Sequence, residues 1–273
     1  MTRPYRSALY IPGSRPRALD KARGLPCDAI LFDLEDAVAP DEKPAARATL
    51  AEELARGGYG PRQRIVRING ADTPWGADDV AAVQSMDCDG ILLPKVEDPA
   101  QLDAVPGRLW AMIETPRGVL NAAAICAHPR LEGIVMGTND LAKELHSQTR
   151  AALTTALQMS LLAARAAGIV AIDGVWNAFR DLDGLAAECA EGRAMGFDGK
   201  SLIHPDQIAV ANAAFAPTEA EIDLARRQIA AFEEAKAAGQ GVAVVDGRIV
   251  ENLHIETARA TLARAEAIAK LAE

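Results

Sequence analysis

A closed (β/α)8 barrel, the TIM-barrel fold, carrying a C-terminal helix–hairpin–helix extension is the fold class this sequence predicts. Three observations point to it. Eight short apolar runs each stop at a polar cluster, and most lead into a helical segment. The strand ends recur roughly 20–36 residues apart over about 200 residues, the spacing of successive βα units. No glycine-rich phosphate loop follows the first run, which argues against the competing doubly wound open sheet.

Residues 7–11 (SALYI) read as the first strand, ending at Pro12-Gly13-Ser14, with Arg15 and Arg17 where a helix begins. Residues 29–32 are the second strand, ending in Asp33-Leu34-Glu35-Asp36, and residues 47–56 are helical. Gly57-Gly58-Tyr59-Gly60 precedes a strand and so reads as a helix stop. Residues 64–68 (RIVRI) are the third strand, followed by Asn69-Gly70 and a helix over 78–84. Residues 90–93 are the fourth, ending at Pro94-Lys95. The fifth run, Leu109 to Ile113, stops at Glu114. The sixth, Leu131 to Met136, stops at Gly137-Thr138-Asn139-Asp140. A long helix over 150–167 closes at Gly168, and residues 169–172 are the seventh strand, ending at Asp173-Gly174. A helix over 182–195 leads to a short eighth strand with its turn at 196–200.

The tail changes texture. Residues 217–238 form an amphipathic helix capped by Thr218, with Glu221 three residues on. Residues 239–250 read as a hairpin that turns at Asp246-Gly247, and 256–272 as a final helix. The expected division is a catalytic barrel over 1–215 and an extension over 216–273 that serves as a lid or oligomerisation arm.

Composition sets the class of function. The chain has 273 residues, 49% hydrophobic and 25% charged, as expected of a globular enzyme-sized domain. Its formal net charge of −9 argues against nucleic acid or an anionic membrane as partner. No stretch has the pattern of a signal peptide or the length of a membrane span. Four widely spaced cysteines, Cys27, Cys88, Cys126 and Cys189, form no CxxC pair, which suits buried thiols in a reducing cytoplasm.

The candidate chemistry lies in polar residues at the strand ends: Asp33, Glu35, Asp36, Arg67, Lys95, Glu114, Asp140 and Asp173. Catalytic groups of parallel barrels sit at these ends. Carboxylates there can give hard oxygen ligands to Mg2+, which keeps several waters or substrate oxygens. Glu114 and Asp140 are the expected metal pair, and Arg67 suits bidentate capture of a substrate carboxylate. Other uses stay open at this level. Asp140 also fits the N-cap of the turn over 141–145, Glu114 fits an ion pair with Arg, and Asp33, Glu35 and Asp36 fit a solvated acidic turn. His204, before Pro205, also fits a structural hydrogen bond at the barrel rim.

Seven segments together resemble the citrate lyase beta subunit-like family, within the HpcH/HpaI aldolase group that includes malyl-CoA and citramalyl-CoA lyases and malyl-CoA thioesterases. They are YIPGSRP (10–16), DAILFDLEDAVAPDEKPAAR (28–47), VRINGADTPW (66–75), ILLPKVE (91–97), AMIETPRGV (111–119), GTNDLA (137–142) and GFDGKSLIHPDQI (196–208). The resemblance implies a soluble Mg2+-dependent enzyme. Glu114 and Asp140 would hold the metal, Arg67 would grip the keto acid, and backbone at Gly137 and Thr138 would help seat it. Asp33, Glu35 and Asp36 would line the metal site through waters and contacts to its ligands. Lys43 and Arg47 would meet the coenzyme A phosphates, and Ile203, His204 and Pro205 would form a coenzyme-side wall. It also implies a homotrimer or homohexamer in which the C-terminal segment closes a neighbour's site.

The chain departs from the pattern at one place. The family's lyases typically carry a mobile Asp after the tail hairpin, in a segment resembling GKMIDRPH. This chain reads GRIVENLH over 247–254, with Glu251 at the Asp position. The added methylene shifts the carboxyl by more than about 1 Å, and a shift of that size can cost roughly a hundredfold in rate. The preferred expectation is an Mg2+-dependent lyase. It would cleave a short β-hydroxyacyl-CoA of the malyl or citramalyl type to a 2-keto acid and an acyl-CoA. Two alternatives stand beside it. One is a (3S)-malyl-CoA thioesterase, if Glu251 activates water. The other is the beta component of a citrate lyase complex acting on a carrier-bound citryl thioester.

Overall fold

In the computed structural model, which describes residues 3–272, the eight apolar runs pair in sequence order as a closed parallel barrel. Its strands are β1 (Ser7–Pro12), β2 (Ala29–Asp33), β3 (Gln63–Arg67), β4 (Gly90–Leu93), β5 (Leu109–Ile113), β6 (Leu131–Met136), β7 (Val170–Asp173) and β8 (Gly199–Leu202). The barrel closes where Ser7, Ala8 and Leu9 of β1 register with Lys200, Ser201 and Leu202 of β8. Around it run α1 (Pro16–Ala22), α2 (Lys43–Arg56), α3 (Gly76–Val83), α4 (Ala100–Asp103), α5 (Pro116–Leu120), α6 (Ala122–Cys126), α7 (Thr138–Glu144), α8 (Thr154–Ala167), α9 (Leu182–Met195) and α10 (Ile208–Ala214).

The strands are apolar on both faces because both faces are buried. Alternation then sorts their side chains into two cores. Ala8, Ala29, Leu31, Ile65, Trp110 and Val135 point into the barrel. Leu9, Ile30, Phe32, Val66, Ala111 and Ile134 point outward to the helices. Trp110 fills the barrel floor, its ring 5.2 Å from that of Tyr5. Neighbouring strands give it room by omitting side chains. A β-carbon on Gly133 of β6 would collide with the indole, and one on Gly90 of β4 would lie 3.0 Å from it. Large and small residues are thus matched across strands, as a packed barrel core requires.

Helix ends follow local chemistry. Thr115 caps α5 by accepting from Gly118 N at 3.0 Å, and Asp181 caps α9 through Gly184 N at 2.9 Å. Gly168 and Gly196 end α8 and α9 in the left-handed conformation. Gly196 also corrects the expected eighth strand. Because it belongs to a helix cap, β8 begins three residues later than expected and carries Lys200 and Ser201 inside it. The expected helix over 150–167 opens instead as a 3-10 turn, Arg150–Leu153, before α8.

The chain divides into two compact units. Residues 5–215 form one, and residues from 216 onward, with those before Tyr5, form the other; residues 1, 2 and 273 lie outside the described residues. The second unit holds α11 (Glu219–Ala237), the antiparallel pair β9 (Ala243–Val245) and β10 (Arg248–Val250), and α12 (Asn252–Ala272). Thr218 and Glu221 form the expected capping box. Asp246 and Gly247 both take positive φ, 51° and 74°, the twist that a two-residue hairpin needs. The last helix starts at Asn252, four residues before its expected start. Glu251 and His254 therefore sit at a helix N-terminus, with His254 N donating to Glu251 O at 2.9 Å. No helix among the described residues is long and apolar enough to cross a membrane.

Candidate active site

The period-2 phase that builds the core also builds the site, because inward positions at the C-terminal strand ends open into one cavity. It has a volume of about 270 Å³. Tyr10 of β1, Asp33 of β2, Arg67 of β3, Met112 and Glu114 of β5, and Ser201 of β8 contribute to it. The loops after β6, β7 and β8 complete the wall with Gly137, Thr138, Asn139, Asp140, Val175, Asn177 and Ile203.

Asp33 and Arg67 end paired strands in direct register. Their contact is bidentate, Nε to Oδ1 at 2.7 Å and Nη2 to Oδ2 at 2.6 Å. The same carboxylate accepts from Glu35 N and Ala37 N at 2.9 and 3.0 Å, which fixes the turn after β2. Arg67 Nη1 lies 2.8 Å from Glu35 Oε2 and 3.5 Å from Asp36 Oδ2. Arg67 thus reaches the expected cavity with three carboxylates around it, and most of its donors are spent on them. These contacts hold the acidic wall together around the guanidinium.

Glu114 is held more tightly still. Its Oε1 accepts from Lys95 N at 2.7 Å. Lys95 takes φ of 48°, uncommon for a residue with a side chain. From that position its Nζ also reaches Glu35 Oε1 at 2.8 Å. On the other side Gly137 lies so close that a β-carbon there would collide with the Glu114 carboxyl. Burial pushes the Glu114 carboxyl up to about 7, opposed by the Lys95 amide and reinforced by the Glu35 charge. Burial likewise raises the Glu35 carboxyl, with Arg67 and Lys95 acting against it.

Asp140 lies in the first turn of α7, partly exposed on the same cavity. No hydrogen bond or ion pair engages its carboxylate among the described residues. Glu114 and Asp140 are therefore two carboxylates on one cavity, one buried and prone to hold a proton and one without a partner. No trio of His, Cys, Asp or Glu with metal-holding geometry exists among the described residues. Two carboxylates without a third protein ligand suit a hard ion that retains waters, as Mg2+ does, and do not suit a closed structural metal site.

Other expected residues are placed differently. Lys43 is buried, and its Nζ donates to Leu34 O at 3.0 Å, Glu35 O at 2.7 Å and Asn69 Oδ1 at 2.7 Å. An ammonium has three protons, so none remains for a coenzyme phosphate. Burial lowers its pKa, while Glu35 and Asp33 act to raise it. Arg47 is tied to Asp79 through Nε at 2.7 Å and to Asp78 at 3.4 Å. Both residues tie the loop after β2 to its neighbours. Arg15 and Arg17, after β1, are exposed and free of ion pairs among the described residues. His204 is at the rim, stacked on Phe179 with ring centroids 4.8 Å apart. Its Nδ1 accepts from Asp206 N at 3.2 Å and caps the short turn Pro205–Gln207. Its neighbour Ile203, not His204 itself, lines the cavity. Glu251 belongs to the other unit, where it is exposed and its amide donates to His254 Nδ1 at 3.2 Å.

Asp173 also leaves the expected set. Its inward neighbour is Ile172, so the Asp173 side chain points outward to the helices. There it meets Lys200 at 3.0 Å and Arg150 at 2.8 Å, with Glu188 2.7 Å from Lys200. Sequence reasoning in turn passed over Tyr10, Met112, Asn139, Asn177 and Ser201. The alternation of each strand carried a signal for Tyr10, Met112 and Ser201, whereas nothing local marked the paired amides of Asn139 and Asn177, which bond reciprocally at 3.2 and 2.7 Å.

The sequence profile of the HpcH/HpaI aldolase/citrate lyase family matches residues 6–205. A (3S)-malyl-CoA thioesterase of Cereibacter sphaeroides is 63% identical, over 97% of this chain and 96% of that protein. The citrate lyase subunit beta of Leuconostoc mesenteroides is 38% identical, over 98% of this chain and 93% of its own length. Among solved structures, CitE of Mycobacterium tuberculosis in complex with magnesium, acetoacetate and coenzyme A is similar with a TM-score of 0.83. It is 32% identical and covers 97% of this chain and 98% of that one.

Proposed function

Since the chain belongs to the HpcH/HpaI aldolase/citrate lyase family of enzymes, we propose that it is a magnesium-dependent (3S)-malyl-CoA thioesterase. The observation that carries this reading is the 63% identity to thioesterases of that substrate, sustained over nearly the whole of both chains. It reverses the order of the sequence expectations. Hydrolysis, the alternative there, becomes the main reading, and carbon–carbon cleavage becomes the second. The citrate lyase beta component, at 38% identity, stands behind both.

Glu114 and Asp140 would hold the magnesium ion at the ends of β5 and β6. Bound there, it would polarise substrate oxygens and offset the negative charge that gathers beside four carboxylates. The rest falls to side chains. Asp33, Arg67, Glu35 and Lys95 form a braced wall that keeps Glu114 in place, and Asp36 lines the same mouth. Arg15 and Arg17 are the exposed cations at this end of β1 and suit the coenzyme phosphates. Glu251, from the extension of a neighbouring protomer, would take a proton from water. The water oxygen adds to the thioester carbonyl, the carbon–sulfur bond breaks, the proton held by Glu251 would pass to the departing sulfur, and malate and the coenzyme thiol leave. Glu251 in place of the Asp that the family's lyases typically carry supports this use of it.

The test is product identity. Purified protein with Mg2+ and (3S)-malyl-CoA is expected to release free thiol and malate in equal amounts, with no 2-keto acid. Equal amounts of 2-keto acid and acetyl-CoA, without free thiol, would establish the lyase in its place.

A further inference from the structure

Among the cavity residues, Tyr10 has a hydroxyl that nothing in the proposed chemistry uses. It lies on the inward phase of β1, partly exposed and lining the cavity. Its oxygen lies 3.7 Å from Met112 Sδ, its one hydrogen-bond partner among the described residues, and a thioether is a weak acceptor. The ring itself is fixed, because the Arg67 guanidinium lies over it with Cζ 4.9 Å from the centroid. Arg67 is in turn locked by Asp33 and Glu35. A rigid phenol therefore holds an almost unspent donor against the cavity.

The cavity around it is rich in carboxylates, and its other side-chain donors, the Thr138 hydroxyl and the Asn139 and Asn177 amides, come from the loops after β6 and β7. Asp33, Asp36, Glu114 and Asp140 line it with carboxylates. Arg67 has spent most of its protons on them, and Ser201 Oγ donates away from the cavity to Asp173 O at 2.9 Å. An anionic ligand oxygen entering this space needs a donor that is not already paired. Burial also raises the phenol far above its ordinary pKa against the pull of Arg67, with Asp33 and Glu114 adding to the rise, so the proton stays on oxygen at working pH.

We propose that the Tyr10 hydroxyl is a specificity-determining donor that binds a carboxylate oxygen of the dicarboxylic end of the substrate. The proposal rests on the reading of this cavity as a site for a dicarboxylic thioester. It assigns Tyr10 to the carboxylate and not to the neighbouring hydroxyl. A hydrogen bond from a neutral donor to a charged acceptor is lost as roughly a ten- to hundredfold change in affinity when the donor is removed.

The experiment compares wild type with Tyr10→Phe, which keeps the ring and its contact with Arg67. L-malate and succinate, which differ only by the hydroxyl, are titrated calorimetrically into each protein with Mg2+ present. Expected is a weakening of both ligands by about ten- to hundredfold, with the melting temperature and the Mg2+-induced shift of the variant unchanged. A loss confined to malate would assign Tyr10 to the hydroxyl and overturn the proposal. Unchanged affinity for both would overturn it as well, as would a wild-type cavity that binds neither acid. Because binding is read apart from turnover, a protein that binds malate through Tyr10 yet hydrolyses no malyl-CoA would sink the thioesterase reading alone.

Discussion

At the scale of single residues, the site is governed by what burial does to charge. Glu114 is nearly inaccessible, and burial lifts its carboxyl from 4.5 to about 7. The sign of the consequence is fixed. Below 4.5 the group is neutral in both folded and unfolded chains. As pH rises towards 7 the unfolded chain ionises it while the fold keeps it protonated, so stability is lost across that window and the loss levels off above it. The metal-free protein is therefore expected to lose up to roughly 3 kcal/mol of stability relative to Glu114→Gln between pH 4.5 and 8. Added Mg2+ should stabilise the wild type at the top of that range and leave the variant unmoved. Denaturation midpoints of both proteins, with chelator and with Mg2+, measure this; a difference independent of pH would mean that the carboxyl is solvated. Glu114 was legible in the sequence because an apolar run ending in a carboxylate has few other places to put it. Lys43 was not, since a lysine at the start of a helix looks solvated until Leu34, Glu35 and Asn69 turn out to surround its ammonium.

At the scale of elements, β6 shows how one strand serves packing and chemistry with the same residue type. Gly133 and the strand-end Gly137 share its inward phase. The first leaves room for the Trp110 ring, and the second leaves room for the Glu114 carboxyl. Adding a methyl at each should have different consequences. Gly133→Ala overpacks the barrel floor and is expected to cost about 1–3 kcal/mol of stability, read as a lower denaturation midpoint. Gly137→Ala displaces Glu114 at the cavity, where a shift near 1 Å costs roughly a hundredfold in turnover, with a smaller change in midpoint. Equal effects of the two substitutions on turnover would deny Gly137 its distinct role. Strand existence was readable here from apolar runs alone, because buried parallel strands carry little else. Strand phase was harder to read. With both faces apolar, nothing in Val170–Asp173 announces that Asp173 faces outward to Lys200. The position of β8 slipped for a related reason: Gly196 reads equally as a strand start and as a helix cap, and the left-handed cap that ends α9 decides it.

At the scale of the whole molecule, the barrel unit and the extension divide the proposed chemistry between them. Glu114 and Asp140 belong to the first, Glu251 to the second. The two units were legible as a change of texture near residue 216, yet no sequence pattern says which barrel a given extension serves. If Glu251 acts on a neighbouring protomer, two inactive variants must rescue one another. Glu114→Ala removes the barrel half of the site and Glu251→Gln the extension half, and each homo-oligomer is expected to be inactive. In randomly mixed oligomers each active site draws its barrel from one protomer and its extension from another. Half of the barrels and half of the extensions are intact, so about a quarter of the sites are complete. Co-expression of the two variants with different affinity tags, followed by purification through both, removes the inactive homo-oligomers and should then restore malyl-CoA hydrolysis to about a third of wild type in a trimer and about a quarter in a hexamer. If Glu251 instead serves its own barrel, every site in the mixture retains one defect and no activity returns. That outcome would place the extension over its own protomer and confine the proposed closure to a single chain.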